Sequence, residues 1–186
     1  MAPNIVSLCF EQERGDPDYG TCQWAVFNFD LDRYDLFITS DCGNYSYGWI
    51  PTPSNESFMH LMSRIESGYL LDKLASPCVI DSEKTFAEVK ALMDAYGADL
   101  SEEDIDNEPI FNLKSIEHCC QCDNTKDVYE SLMSAFHGTP LENVDPYDVY
   151  SCIQHDYTAN AKKIVEVFAE YIQPICKVRS ATEEDK

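Results

Sequence analysis

The first fifty residues alternate between short apolar runs and polar turn residues, which is the pattern of β-strands. The runs are rich in Val, Ile, Phe, Tyr and Trp, the residue types that strands favour. The sequences DLDR at residues 30–33 and DCGN at residues 41–44 supply the tight connections of hairpins. We therefore predict an antiparallel meander of four strands, over residues 5–11, 22–30, 34–40 and 45–50.

The aromatic side chains of the last predicted strand share one face. Tyr45, Tyr47 and Trp49 alternate with Ser46 and Gly48, and successive side chains of a strand point to opposite faces. An antiparallel sheet buries one face against helices. The aromatic face is therefore predicted to be core, with a binding surface as the alternative.

Beyond residue 51 the apolar positions follow the helical period. Phe58, Leu61, Met62 and Ile65 fall at i, i+3, i+4 and i+7, which predicts one face of a helix. Further helices are predicted over residues 82–96, 127–137 and 157–172, the last ended by Pro174, with a shorter one within residues 146–155.

Strands followed by helices predict an α+β fold, in which the N-terminal four-stranded meander packs against C-terminal helices. The chain has 186 residues, a length that suits one domain. We predict a single domain over residues 1–179 and a frayed acidic tail over residues 180–186. Neither an export signal nor an 18-residue apolar run occurs, so we expect a cytoplasmic protein of the host cell that does not bind membranes.

Charge narrows the possible partners. The chain carries 34 acidic and 13 basic residues, a formal charge of −21. Such a surface repels phosphate backbones and is attracted to basic grooves. Direct nucleic-acid binding is therefore disfavoured, and a basic nucleic-acid-binding protein is the expected partner. The alternative is that the charge only keeps the protein soluble.

The acids are concentrated in two places that we predict to contact the partner. The first group lies in the most acidic stretch of the chain, and the second lies near the predicted hairpin connections. The predicted contact residues are Asp99, Glu102, Glu103, Asp104, Asp106 and Glu108, followed by Asp16, Asp18, Asp30, Asp32 and Asp35.

Nine cysteines raise the question of a metal site. Cys119 and Cys122 have the CxxC spacing, and Cys152 with His155 has CxxH, so these four could hold one structural zinc ion. His118 or Cys120 could replace a neighbouring ligand. The alternative is that all are reduced, unliganded thiols. We expect the remaining cysteines in apolar segments to be small buried hydrophobes, namely Cys9, Cys22, Cys78 and Cys176.

Two segments carry a resemblance to a known group of proteins. Residues 43–49 (GNYSYGW) and 68–74 (GYLLDKL) resemble a loosely defined family of small acidic proteins encoded by phages and prophages of gut bacteria. The resemblance covers roughly residues 20–95. Such proteins include anti-CRISPR inhibitors, which bind a Cas9-type nuclease and block DNA loading or cleavage.

The resemblance and the charge imply the same kind of target. A Cas9-type nuclease holds nucleic acid in positively charged channels, which an acidic protein could occupy by imitating the charge of a duplex. We therefore predict a non-catalytic inhibitor of a host nucleic-acid-binding defence enzyme, without a cofactor or with one structural zinc. The alternative is a zinc-stabilised small domain with a catalytic or regulatory role.

Overall fold

The structure, a computed structural model, describes residues 4–16, 19–51, 56–98 and 113–184. The strands are β1 (Ile5–Glu11), β2 (Trp24–Asp30), β3 (Asp35–Ser40), β4 (Gly43–Gly48), β5 (Val79–Ile80) and β6 (His155–Asp156). The helices are α1 (Phe58–Arg64), α2 (Ser67–Leu74), α3 (Ser82–Ala95), α4 (Leu113–Cys119), α5 (Thr125–Phe136), α6 (Pro146–Cys152), α7 (Ala159–Val167), and α8 (Gln173–Glu184), with a π-helical turn over Phe168–Ile172 between α7 and α8.

The chain forms two compact units. The first comprises Met1–Ser76 and Tyr157–Lys186, and the second comprises Pro77–Asp156. Each unit has its own cluster of buried apolar side chains. A compact unit is not by itself a separate domain, so the sequence-based prediction of a single domain over residues 1–179 stays a prediction.

In the first unit, β1 to β4 form the predicted antiparallel meander, in the order β1-β2-β3-β4. The register pairs Phe27 with Ile38 and Leu36 with Tyr47. Alternate residues of β2 and β3 are buried and the residues between them are exposed or partly exposed, because successive side chains point to opposite faces. The predicted α+β fold, with an N-terminal meander followed by helices, is confirmed.

The inner face of the sheet packs against helices of the same unit. Phe27 lies 5.9 Å from Phe168, and Phe29 lies 6.1 Å from Phe58, between ring centroids. Tyr45 and Tyr47 pack against this core, and Trp49 is buried within it. The aromatic face of β4 is therefore core, as predicted.

The helix predicted to stop at Pro174 instead continues as α8, which corrects that boundary. The preceding π-helical turn carries a hydrogen bond from the Gln173 backbone N–H to the Phe168 carbonyl. This wider turn places Pro174 in the first turn of α8, where a residue without an N–H is tolerated. Helix α8 runs to Glu184, into the segment predicted to be a frayed tail.

The second unit is built from helices α3 to α6 and a two-residue ladder of β5 and β6. Its core includes Val89 and Met93 of α3, with Val128, Leu132 and Phe136 of α5. Three helices begin with an acidic or amide side chain that accepts a backbone N–H, which satisfies one of the free donors at each helix start. These capping residues are Asp81 of α3, Asn124 of α5 and Asp145 of α6.

Some local predictions differ from the structure. Helices α2, of eight residues, and α4, of seven, were not predicted. Cys9 and Cys78 are exposed, not buried. For Cys9 the reason is strand alternation, since it lies between Leu8 and Phe10 on the opposite face of β1. Among the residues that the structure describes, no helix is long and apolar enough to cross a membrane.

Candidate functional site

The acidic charge of the chain is concentrated in residues 77–156. This range carries eighteen acidic and four basic residues, a formal charge of −14 out of −21. Lys84 and Lys126 form ion pairs with acids of the same unit. Lys84 Nζ lies 2.8 Å from Asp81 Oδ2, and Lys126 Nζ lies 3.6 Å from Glu130 Oε1. The remaining acids give this unit a strongly negative surface.

Many of these acids face solvent. Among the described residues of this unit, the exposed acidic side chains are Glu83, Glu88, Asp94, Glu117, Asp123, Asp127, Glu130, Glu142 and Asp145. Exposed carboxylates keep their hydration in the free protein and remain available to a cationic partner.

Exposed tyrosines accompany the acids where α3 ends and α6 begins. We call Tyr96, Asp145, Tyr147, Asp148 and Tyr150 the tyrosine–aspartate patch. The exposed fractions of the three tyrosines are 42%, 77% and 46% in that order. Tyrosine is enriched at protein–protein interfaces because it combines a large apolar ring with a hydrogen-bonding group.

Local contacts hold the patch in place. Tyr96 Oη donates to Asp148 Oδ2 at 3.4 Å, which links the end of α3 to α6. Partial burial, together with the nearby Asp148 carboxylate, raises the pKa of Tyr96. Tyr150 stacks on Tyr129 of α5, with ring centroids 4.1 Å apart. Asp145 accepts the backbone N–H of Tyr147 at 2.8 Å as the N-cap of α6.

The first predicted contact group cannot be placed on this surface. Asp99, Glu102, Glu103, Asp104, Asp106 and Glu108 lie outside the residues that the structure describes, as does Asp18 of the second group. Their assignment to the partner interface stays a prediction. By sequence, the first group falls within the acidic range 77–156.

The rest of the second predicted group is divided between the two ends of the sheet. Asp16 is exposed in the β1–β2 loop, whereas Asp32 and Asp35 lie at the β2–β3 turn. Asp30 is 6% exposed and accepts the backbone N–H groups of Asp32 and Arg33, each at 3.1 Å. Asp30 therefore stabilises its own turn, and its predicted contact with a partner stays a prediction.

Three of the four predicted zinc ligands, Cys122, His155 and Cys152, each contact a different group in the structure. Cys122 Sγ lies 3.8 Å from Ser131 Oγ, and His155 Nε2 lies 2.9 Å from Thr125 Oγ1. Cys152 Sγ donates to the Asp148 carbonyl at 3.3 Å.

No three of these four ligand atoms gather within 4.8 Å of one another in the described residues. Zinc binding by Cys119, Cys122, Cys152 and His155 stays a prediction, and it would require these side chains to rearrange.

Cys120, the predicted alternative ligand, lies near Cys119, Cys122 and Cys152. It is fully buried, and burial raises the pKa of its thiol to about 12, with further contributions from Cys119, Cys122 and Cys152. A thiol with so high a pKa is almost wholly protonated at neutral pH and is a poor nucleophile. The arrangement is that of inert core thiols.

A different set of metal-ligand side chains does converge, in the first unit. The ligand atoms of Cys22, Asp41 and Cys42 all lie within 4.8 Å of one another. Both cysteines are buried, with exposed fractions of 0% and 3%, and the carboxylate is exposed. Burial raises the pKa of Cys22 to about 12, and the neighbouring Cys42 adds to this effect.

Sequence reasoning missed this set because its members lie twenty residues apart. Cys22 precedes β2, and Asp41 and Cys42 lie in the turn between β3 and β4. Residue 25 pairs with residue 40 in the sheet, so continuing this register places residues 41 and 42 opposite residues 24 and 23, beside residue 22. The pairing register of β2 with β3, which was not predicted from the sequence, was the signal that could have revealed it.

Comparison with models of protein families gives a match over most of the chain. A model of Phage_phiTE_072, described as a phage family, matches residues 9–178. Searches of curated proteins and of solved structures give no match. The match confirms that the protein is of the phage kind implied by residues 43–49 and 68–74, at the level of a phage family. Because the matched range covers nearly the whole chain, the protein belongs to the phage family Phage_phiTE_072.

Proposed function

We propose that this phage protein is a non-catalytic inhibitor of a host defence enzyme that binds nucleic acid, and that its target is a Cas9-type nuclease. The acidic surface of residues 77–156 would occupy a basic channel of the nuclease and block DNA loading or cleavage. The observation that carries the proposal is the concentration of charge, −14 on this one unit.

The charge density of the unit is comparable with that of DNA. A compact unit of 80 residues has a radius of gyration of about 12 Å and hence a diameter of roughly 30 Å. A duplex carries one charge per about 1.7 Å, or about 18 charges over the same length. A net charge of −14 therefore supports occupation of a groove built for nucleic acid.

The tyrosine–aspartate patch supports binding of a protein rather than simple solubility. The three exposed tyrosine rings offer a partner both apolar area and hydrogen-bonding groups, and tyrosine is enriched at protein–protein interfaces. Tyr147, at 77% exposed, stands where it can stack on a guanidinium group, an interaction that arginine-rich channels offer.

The first experiment measures binding and inhibition directly. The purified protein is titrated against a guide-loaded Cas9-type nuclease, and both complex formation and cleavage of a target duplex are recorded. We expect a complex at about 50 mM salt that weakens steeply by about 200 mM, as binding through many ionic contacts does. Absence of a complex at the lower salt would overturn the choice of target.

A triple variant tests the tyrosine–aspartate patch and its acidic neighbour. Asp94→Asn, Asp145→Asn and Asp148→Asn together remove three charges, and asparagine is as good a helix N-cap as aspartate at position 145. We expect affinity to fall by about tenfold or more at low salt. Tyr147→Ala should also weaken binding while leaving the free protein folded, since its ring is mostly in solvent.

The matched control removes the same charge from the first unit. Glu11→Gln, Glu13→Gln and Glu66→Gln neutralise three exposed acids there. If both triple variants weaken binding equally, only net charge matters and the assignment of the surface fails. Charge reversal of Asp99, Glu102, Glu103, Asp104, Asp106 and Glu108 should abolish binding, and unchanged affinity at low salt would remove that segment from the interface.

A further inference from the structure

We propose that Cys22, Asp41 and Cys42 form a zinc site in the first unit. Zinc is tetrahedral and is bound in proteins by thiolates, imidazoles and carboxylates. Two sulfur atoms and one carboxylate oxygen suit it better than calcium or magnesium, which take oxygen ligands. The three side chains leave one coordination position, which water would occupy.

The present spacing requires little movement to bind the ion. The three ligand atoms already lie within 4.8 Å of one another. Zinc–sulfur bonds of about 2.3 Å at a tetrahedral angle place two thiolates about 3.8 Å apart. The two sulfur atoms therefore need to approach by about 1 Å at most, and the carboxylate oxygen by little more.

Hydrogen bonds already orient the carboxylate of Asp41. Oδ1 accepts the backbone N–H groups of Gln23 and Trp24 at 3.1 Å and 3.3 Å, and Oδ2 accepts Gln23 N–H at 2.9 Å. A carboxylate offers about four acceptor positions, so Oδ2 retains one for a cation. Such outer-shell hydrogen bonds are typical of metal-binding carboxylates.

The turn that carries Cys42 is similarly held. Tyr45 Oη donates to the Cys42 carbonyl at 3.0 Å, and Ser40 Oγ donates to the Gly43 carbonyl at 2.6 Å. Cys42 Sγ itself points at the Thr21 carbonyl, 2.9 Å away. Zinc would therefore join the β1–β2 loop, at residues 21 and 22, to the β3–β4 turn, and would stabilise the unit by binding only its folded form.

The test uses the full-length protein, reduced and freed of metal with a chelator, and zinc alone as the probe. We expect one tightly bound equivalent, measured by competition with a chromophoric chelator, and a higher melting temperature with zinc than without it. Cobalt substituted for zinc should give the sulfur-to-cobalt charge-transfer absorption of two thiolates.

Variants locate the site. Cys22→Ser, Cys42→Ser and Asp41→Asn should each lower zinc affinity by more than the roughly 10–100-fold typical of losing an outer-shell partner. Cys9→Ser and Cys78→Ser, at exposed cysteines, are the matched controls and should leave it unchanged. Asp41→Asn keeps an acceptor for the backbone N–H groups, so it tests the site even if the cysteine variants fail to fold.

Three results would overturn the proposal. The first is a reduced, folded wild-type protein that takes up no zinc. The second is a bound equivalent that survives Cys22→Ser and is lost in Cys119→Ser or Cys122→Ser, which would place the metal in the second unit. The third is a purified protein in which Cys22 and Cys42 form a disulfide that reductant cannot open, because that bond consumes both thiols.

Discussion

The side chain of Gln173 joins α8 to the end of α1, and its removal should destabilise the first unit measurably. Its Nε2 donates to the Ile65 carbonyl at 2.7 Å and to the Met62 carbonyl at 3.3 Å. Helix α1 ends at Arg64, so these carbonyls lie where a helix leaves its last acceptors without partners of its own. Gln173→Met keeps the length of the side chain and removes both donors.

The expected cost follows from the two lost hydrogen bonds. Each contributes about 0.5–1.5 kcal/mol net, so the free energy of unfolding should fall by about 1–3 kcal/mol. Gln173 is only partly buried, and water reaching the carbonyls would place the loss in the lower half of that range. With a urea dependence of about 2 kcal/mol/M, the unfolding midpoint should then fall by roughly 0.5–1 M.

Urea unfolding followed by circular dichroism measures this loss. Gln23→Met, at an exposed position of the same unit, is the matched control and should change stability by less than about 0.5 kcal/mol. Gln173→Glu should be worse than Gln173→Met, because it directs a carboxylate at two carbonyl oxygens. A Gln173→Met protein as stable as the control would refute the link between α8 and α1.

Three other expectations rest on independent features. Phe168→Ala should cost about 3–5 kcal/mol because this ring is 1% exposed in the core, whereas Phe37→Ala, at 47% exposed, should cost far less in the same urea experiment. Gly43→Ala should lower the free energy of unfolding by more than about 1 kcal/mol. The reason is that Gly43 has a φ of +119° and a Cβ there would lie 3.1 Å from Tyr45 Oη. An unchanged stability would contradict the turn geometry. Burial raises the pKa of Cys120 to about 12 and of Cys176 to about 11 from an ordinary value of 9.0. Because these thiols lose their protons at a lower pH in the unfolded chain, the free energy of unfolding should fall as the pH rises from about 9 to 12. In urea unfolding at several pH values, the Cys120→Ala and Cys176→Ala variants should lose less stability over this range than the wild-type protein does.

The meander was predictable because strand formation leaves a local pattern. Ile5–Glu11 was predicted with its observed bounds, and the other three strands differ by one or two residues at their ends. The aromatic face of β4 was assigned to the core from alternation alone. Amphipathic α3 and α5 were likewise predicted, because a long helix repeats its apolar positions often enough to be recognised.

The ends of helices depended on tertiary context. Pro174 is a local stop signal, yet the chain stays helical because the π-helical turn before it moves the proline into the first turn of α8. The interactions that favour this arrangement come from elsewhere in the sequence, including the contacts of Gln173 with α1. The residues that Gln173 contacts, Met62 and Ile65, lie more than 100 positions before it, so the sequence next to the proline does not reveal these contacts.

Sequence alone determined that the protein is strongly acidic, that it has an N-terminal meander followed by helices, and that it resembles phage proteins. Only the tertiary structure decided which polar residues are available. It buries Asp30 in its own turn, exposes Tyr147, and brings Cys22 to Asp41 and Cys42. The physical reason is that charge and periodicity belong to the chain itself, whereas burial and convergence depend on the register of strands and the packing of helices distant in sequence.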